Sequence, residues 1–325
     1  MANYDPKTLG CQGGWQRCVS NPLIGDENDF CFDNYTMRID DHYRMYFSWR
    51  THYAIAYTES ADGIHWGERH IVLSPRKNIP WEEDVNRPTL LNRNGKLLMW
   101  YSAQTTSGFH QGKWVDQYLD ASLADSGTSV IAFAYSDDGG ETWQRLDEPV
   151  LIPDQPWEKQ SLMNPTVLWN SQQNQYQMWY CGGGWFEPDC IGYATSKDGI
   201  HWTKHANNPV FTANPDQIWE RERVAGPSMM YEDDWYYLFY IGYEDLFKTR
   251  ICAARSKNGV DNWQRHPQNP LISGGMPGAW DVEAAYKPHL LWDTDQNRWL
   301  MYFNARKGTT ERIGLAIHPG RDLWK

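Results

Sequence analysis

Five residues of this chain stand one position before the proline, or once the asparagine, that opens a β-rich run: Asp33, Arg87, Asn164, Gly226 and Lys287. One acid, two cations and an amide at equivalent places are not what a scaffold alone selects, because charge gathered about an axis must be paired or used. A carboxylate there can give or take a proton. A guanidinium or ammonium can orient hydroxyls or hold a carboxylate or phosphate. Further acids, Asp84, Glu222 and Glu283, lie four or five positions before the prolines. Arg50, His52 and Trp185 fall in loops expected to share the same face. The long segment 104–130, with His110, Trp114 and Asp116, is expected to wall or cover that face.

The elements that must position these residues repeat. IAYTESADGIHW (55–66) recurs as FAYSDDGGETW (133–143), GYATSKDGIHW (192–202) and AARSKNGVDNW (253–263). Each copy is a β-rich run, a serine, an Asp-Gly or Asn-Gly turn suited to hairpins, and a tryptophan. A second unit precedes these: RPTLLNRNGKLLMWYS (87–102), NPTVLWNSQQNQYQMWYC (164–181), GPSMMYEDDWYYLFYIG (226–242) and KPHLLWDTDQNRWLMYFN (287–304). DNYTMRIDDHYRMYFS (33–48) is a copy of it without the proline.

The last copy stops at IGLAI (313–317) without an outer strand, whereas GWQRCVSNPLI (14–24) has the spacing of one. The repeats therefore predict an all-β chain, a single five-bladed β-propeller over 1–325. Its blades are expected near 25–79, 80–155, 156–215, 216–275 and 276–325, the last completed by 14–24. A Trp-acid pair begins four of the approaches to an inner strand, so Glu82, Glu158, Glu220 and Asp281 are expected to be structural.

Composition narrows the partners. A net charge of −11 argues against nucleic acid. No apolar run of about 18 residues exists to span a membrane. The start, MANYDPKTLG, does not read as a leader, so a cytoplasmic location is expected. The cysteines at 11, 18, 31, 181, 190 and 252 are expected as buried thiols, with Cys11–Cys18 or Cys181–Cys190 bridges the alternative in an exported chain. The 19 Trp and 19 Tyr suit a packed β core, and a minority of them suit stacking against sugar rings. No metal cluster or cofactor motif stands out, and a calcium ion on the axis has no support in the sequence.

The phrases SKDGIHW…NPV and WE…P…MWY resemble the repeats of five-bladed propeller glycosidases: glycoside hydrolase families 43 and 32 and the mannoside-active family 130. The resemblance runs over essentially the whole chain. It implies two or three axial carboxylates, one protonating the leaving oxygen and another activating water or attacking the sugar carbon. Families 43 and 32 carry an Asp before the inner-strand proline of blade one, the place of Asp33, which is thereby expected to be base or nucleophile. Their acids in blades three and four are missing here, where Asn164 and Ala225-Gly226 stand. The acid is therefore sought in Glu222 or Glu283, with Asp84 assisting and Arg87, Asn164, Lys287, Trp185, His52 and Arg50 binding substrate. A hydrolase of a small oligosaccharide or glycoside is the leading expectation. A family 130-like phosphorylase and a non-catalytic carbohydrate-binding propeller are the alternatives. SDDGGETW (136–143) also resembles the sialidase box, but no arginine triad accompanies it.

Overall fold

The computed structural model describes residues 9–105, 107–110, 113–116, 127–184 and 188–324, with 107–110 and 113–116 described as strands alone. The chain is all-β. A short strand β1 (Gln16–Arg17) is followed by β2 (Cys31–Ile39), β3 (His42–Trp49), β4 (Ala54–Ser60) and β5 (His70–Leu73), which pair in that order as one meander. The second unit is β6 (Asp84–Arg93), β7 (Lys96–Thr105), β10 (Thr128–Ser136) and β11 (Gln144–Arg145), with β8 (Ser107–His110) and β9 (Lys113–Asp116) as an inserted hairpin. The third is β12 (Ser161–Asn170), β13 (Gln175–Gly183), β14 (Pro188–Ser196) and β15 (Trp202–Lys204). The fourth is β16 (Arg223–Glu232), β17 (Trp235–Tyr243), β18 (Thr249–Ser256) and β19 (Gln264–Arg265). The last is β20 (Ala284–Asp293), β21 (Arg298–Lys307) and β22 (Thr310–Pro319), and its fourth strand is β1, paired antiparallel through Gln16↔Ile317 and Arg17↔Ala316. A single parallel contact, Ser129↔Ser161, merges the second and third units into one eight-stranded sheet.

Each Ser-x-Asp/Asn-Gly turn folds on its own serine. Ser196 Oγ accepts from the Gly199 amide at 2.8 Å and donates to Asp198 Oδ1 at 2.9 Å, and Ser60, Ser136 and Ser256 do the same at their turns. The turns then serve as sockets for the preceding unit. Trp100 Nε1 donates to Gly199 O at 2.8 Å, Trp179 Nε1 to Gly259 O at 2.7 Å, and Tyr302 of the last unit to Gly63 O of the first at 2.9 Å. Between the fourth unit and the last, Phe239 meets Trp15 edge-on at 6.3 Å. The hydrophobic clusters follow the same seams, each drawing on two consecutive units, the last and the first included. Trp100 and Trp179 are fully buried there, and such a side chain contributes roughly 4–6 kcal/mol of transfer free energy at about 25 cal/mol per Å². All six cysteines are free and buried.

The Trp-acid pairs are buried struts. Glu82 accepts from the Tyr101 hydroxyl at 2.6 Å and pairs with Arg76 and Arg145. Glu158 does so with Tyr180 and Lys204, and Glu220 with Tyr240 and Arg265. Each basic partner on β11, β15 or β19 lies on its own unit's outer strand, so the strut fastens the outer edge to the inner strand's approach. In the last unit Asp281 pairs with Arg17 of β1 at 2.8 Å. There Phe303 stands where the second, third and fourth units have Tyr, and the acid is the shorter Asp281, which has no such hydroxyl to meet.

Candidate active site

Asp33, Arg87, Asn164, Gly226 and Lys287 share one backbone state. Their φ values are 55°, 55°, 54°, 55° and 48°, in the left-handed region. Each sits at a register break between an inner strand and its neighbour. A bulge of this kind re-aims one side chain out of the pleat. Left-handed backbone costs a non-glycine residue about 1–2 kcal/mol, so four of the five positions hold strain that the surrounding sheet must stabilise. The bulge amides are caught by the preceding unit: Arg87 N donates to Ser48 Oγ at 2.9 Å, Asn164 N to Ser102 Oγ at 3.0 Å, and Gly226 N to Cys181 Sγ at 3.2 Å. In the last seam Asn34 Nδ2 donates to Asn304 Oδ1 at 3.2 Å.

Three of these residues, Asp33, Arg87 and Asn164, line a single cavity of about 140 Å³ together with Arg50, Tyr286, Arg306 and Glu311. That is about the volume of a cavity that takes one six-membered ring. Asp33 is buried, accepts from Ser48 Oγ at 3.4 Å, and has the Arg87 guanidinium at 3.7 Å. Arg87 also donates to Gln104 Oε1 at 2.9 Å. Asp84 stands behind this layer, paired with Arg50 at 3.5 Å. Burial raises its carboxyl above the usual range, against the pull of Arg50 and Arg87. Lys287 is 5% exposed, and burial lowers its ammonium, with the Asp33 carboxylate opposing. Asn164 Oδ1 is buried with no hydrogen-bond partner among the described residues.

The other expected site residues lie elsewhere. Glu222 is exposed and lines no part of the cavity. Glu283 is also exposed; it accepts from the Gly308 amide at 3.0 Å and braces the hairpin turn after β21, facing Arg306 at 3.9 Å. His52 is exposed and stacks on Trp49 at 3.9 Å, outside the cavity lining. Trp185 lies outside the described residues.

One cavity acid escapes the sequence reading. Glu311 stands on β22 opposite Arg306, and the Tyr286 hydroxyl donates to its Oε1 at 2.7 Å. Burial raises its carboxyl above the usual range, and the Asp33 charge adds to the rise. The signal was the rule that residues joining the second and third strands face the site. In the last unit that connection is the tight turn at 308–309, which leaves Glu311 just beyond it, inside what reads as plain strand.

An all-β chain of meandering units around a pocket of interleaved carboxylates and guanidiniums has the makings of a carbohydrate-active enzyme. The profile of glycosyl hydrolases family 43 matches residues 20–321, and the chain belongs to that family. Over 130 residues it is 32% identical to the 1,2-beta-oligomannan phosphorylase of Thermoanaerobacter sp. (strain X514), covering 37% of this chain and 42% of that protein. The chain spans less than two thirds of the length of the curated relatives it matches first. Among solved structures, a thermostable family-43 glycoside hydrolase superposes with a TM-score of 0.69 at 17% identity over 91% of each chain. The beta-1,2-mannobiose phosphorylase of Listeria innocua, in complex with beta-1,2-mannobiose, gives 0.68 at 10% identity over 94% of this chain and 96% of its own. These likenesses establish the propeller fold.

Proposed function

We propose that the chain is a glycoside hydrolase acting on a short oligosaccharide or glycoside, with its units arranged as five blades and the ring closed by β1 on β22. Asp33 is the base or nucleophile at the anomeric carbon. Asp84, held by Arg50, sets the charge around it, while Arg87 and Asn164 hold sugar hydroxyls. The observation that carries this reading is the repeated left-handed bulge. Strained backbone at equivalent positions, bearing an acid and a cation that meet in one cavity, is the mark of a site whose geometry is maintained for function.

A phosphorylase is the second reading. It is favoured by the three guanidiniums of Arg50, Arg87 and Arg306 lining the cavity, which suit a phosphate acceptor, and by the activity named for the Thermoanaerobacter relative. A panel of aryl arabinofuranosides, xylosides, fructosides, galactosides and mannosides, assayed with and without inorganic phosphate, separates the two. Turnover independent of phosphate supports the hydrolase, and turnover that requires it selects the phosphorylase. Binding of glycans without turnover on any donor would remove both.

A further inference from the structure

The geometry points to Glu311 as the general acid of the site, with Tyr286 as the residue that positions it. This assignment rests on the carbohydrate chemistry proposed above.

Family resemblance directs the search for the acid to the approaches of the third and fourth units, and nothing there serves. Asn164 and Gly226 carry no carboxyl, and Glu222 is exposed outside the cavity. Asp84 is clamped by the Arg50 guanidinium at 3.5 Å and does not line the cavity. Glu311 and Asp33 are the two carboxylates among its described lining residues. Their surroundings differ in kind. Asp33 faces the Arg87 cation at 3.7 Å. Glu311 receives a phenol, and among the described residues no cation comes within 4.0 Å of its carboxylate. Burial raises its carboxyl above the usual range, against the Tyr286 hydroxyl and the Arg50 charge, and the Asp33 charge adds to the rise. Two carboxyls in one pocket, one against a guanidinium and the other against a phenol, are placed to divide into a base and an acid.

In the step itself, the anomeric C–O bond breaks with both electrons going to the glycosidic oxygen, which takes the proton from Glu311. The alcohol leaves neutral and Glu311 remains as carboxylate. Where Asp33 acts as base, it takes the proton of the incoming water or phosphate as the new bond to the anomeric carbon forms, and solvent returns a proton to Glu311 as Asp33 releases its own. Where Asp33 acts as nucleophile, water or phosphate displaces it from the anomeric carbon and gives its proton back to Glu311. Tyr286, half-buried in the cavity wall, holds Oε1 of Glu311, which leaves the other oxygen to carry the proton toward the substrate.

The test compares 2,4-dinitrophenyl and methyl glycosides of whichever donor the wild type turns over. Glu311→Gln is expected to lower kcat/KM on the methyl glycoside by about 10²–10⁴-fold and on the dinitrophenyl glycoside by less than about tenfold, since a good leaving group needs no proton. It is also expected to remove the fall in rate at high pH. Equal losses on both substrates, or a retained high-pH limb, overturn the assignment. Tyr286→Phe removes a donor that stabilises the Glu311 carboxylate, so the high-pH limb moves to higher pH. That variant still decides the matter if Glu311→Gln does not fold, because an unmoved limb counts against both roles. Wild-type protein inert on every donor would sink the proposed function itself, a different result from active protein indifferent to Glu311.

Discussion

Asp33 is held at φ 55°, a conformation that asparagine tolerates better than any other uncharged side chain of its size. Asp33→Asn is therefore expected to keep the fold, with a melting temperature within a few degrees of wild type, while kcat/KM falls by about 10³-fold or more. A large loss of melting temperature alongside activity would mean that the carboxylate's pairing with Arg87 is structural. The bulge also shows where sequence rules fail in an informative way. A residue before proline is steered toward extended backbone, yet Arg87, Asn164, Gly226 and Lys287 are all left-handed. Their identity as odd members of a repeat was readable; their conformation was not, because it goes with the bulge in the sheet and, at Arg87, Asn164 and Gly226, with capture of the amide by the neighbouring unit. Glu222 and Glu283 lie off the cavity for a related reason. Position along the chain was legible, but the direction of each side chain depends on the hairpin it abuts.

At the level of the element, the serine turns were legible as turns, because Ser, Asp and Gly at fixed spacing fold locally whatever surrounds them; that the serine hydroxyl organises each one was not. What the sequence could not express is which turn glycine is also a socket. Gly139 and Gly199 both have positive φ, at 77° and 79°. A Cβ on Gly139 meets nothing within 4 Å, whereas one on Gly199 lies 2.9 Å from Trp100 Cζ2. Gly139→Ala is expected to cost about 1 kcal/mol from backbone strain alone. Gly199→Ala adds a clash with a buried indole, for a total of about 3 kcal/mol. Denaturant midpoints of the two variants check this, and equal costs would contradict the socket.

Across the whole molecule, the seam between the last unit and the first has its own chemistry. His289 of β20 stacks on Tyr35 of β2 at 4.2 Å, and its Nε2–H donates to Thr36 O at 2.8 Å. Burial, with Lys287 nearby, pushes the imidazole down to about 4 from 6.5. The unfolded chain thus takes up the proton first, so stability falls as pH drops from about 6.5 to about 4, by up to roughly 3 kcal/mol. His289→Gln should flatten that stretch of a stability-against-pH curve; an unchanged slope refutes the reading. Within the last unit, where β1 joins β22, Arg17 and Asp281 are both buried. Arg17→Met strands a buried carboxylate and is expected to cost about 3–5 kcal/mol, much of it recovered by adding Asp281→Leu. A double variant no more stable than the single one would show that the pair holds β1 by more than its charge.

The pairing of β1 with β22 also imposes an order of events in time. Gln16 leaves the ribosome about 300 residues ahead of its partner Ile317. At about 5–20 residues per second the two are separated by roughly 15–60 s of synthesis. Through that interval the nascent chain carries Trp15 and Cys18 without the sheet that buries them. Early units can fold as they emerge, since each turn socket needs only its neighbour. The seam of β1 with β22 cannot, and the chain waits there with the apolar segment around β1 exposed, the state in which chaperone capture is most useful.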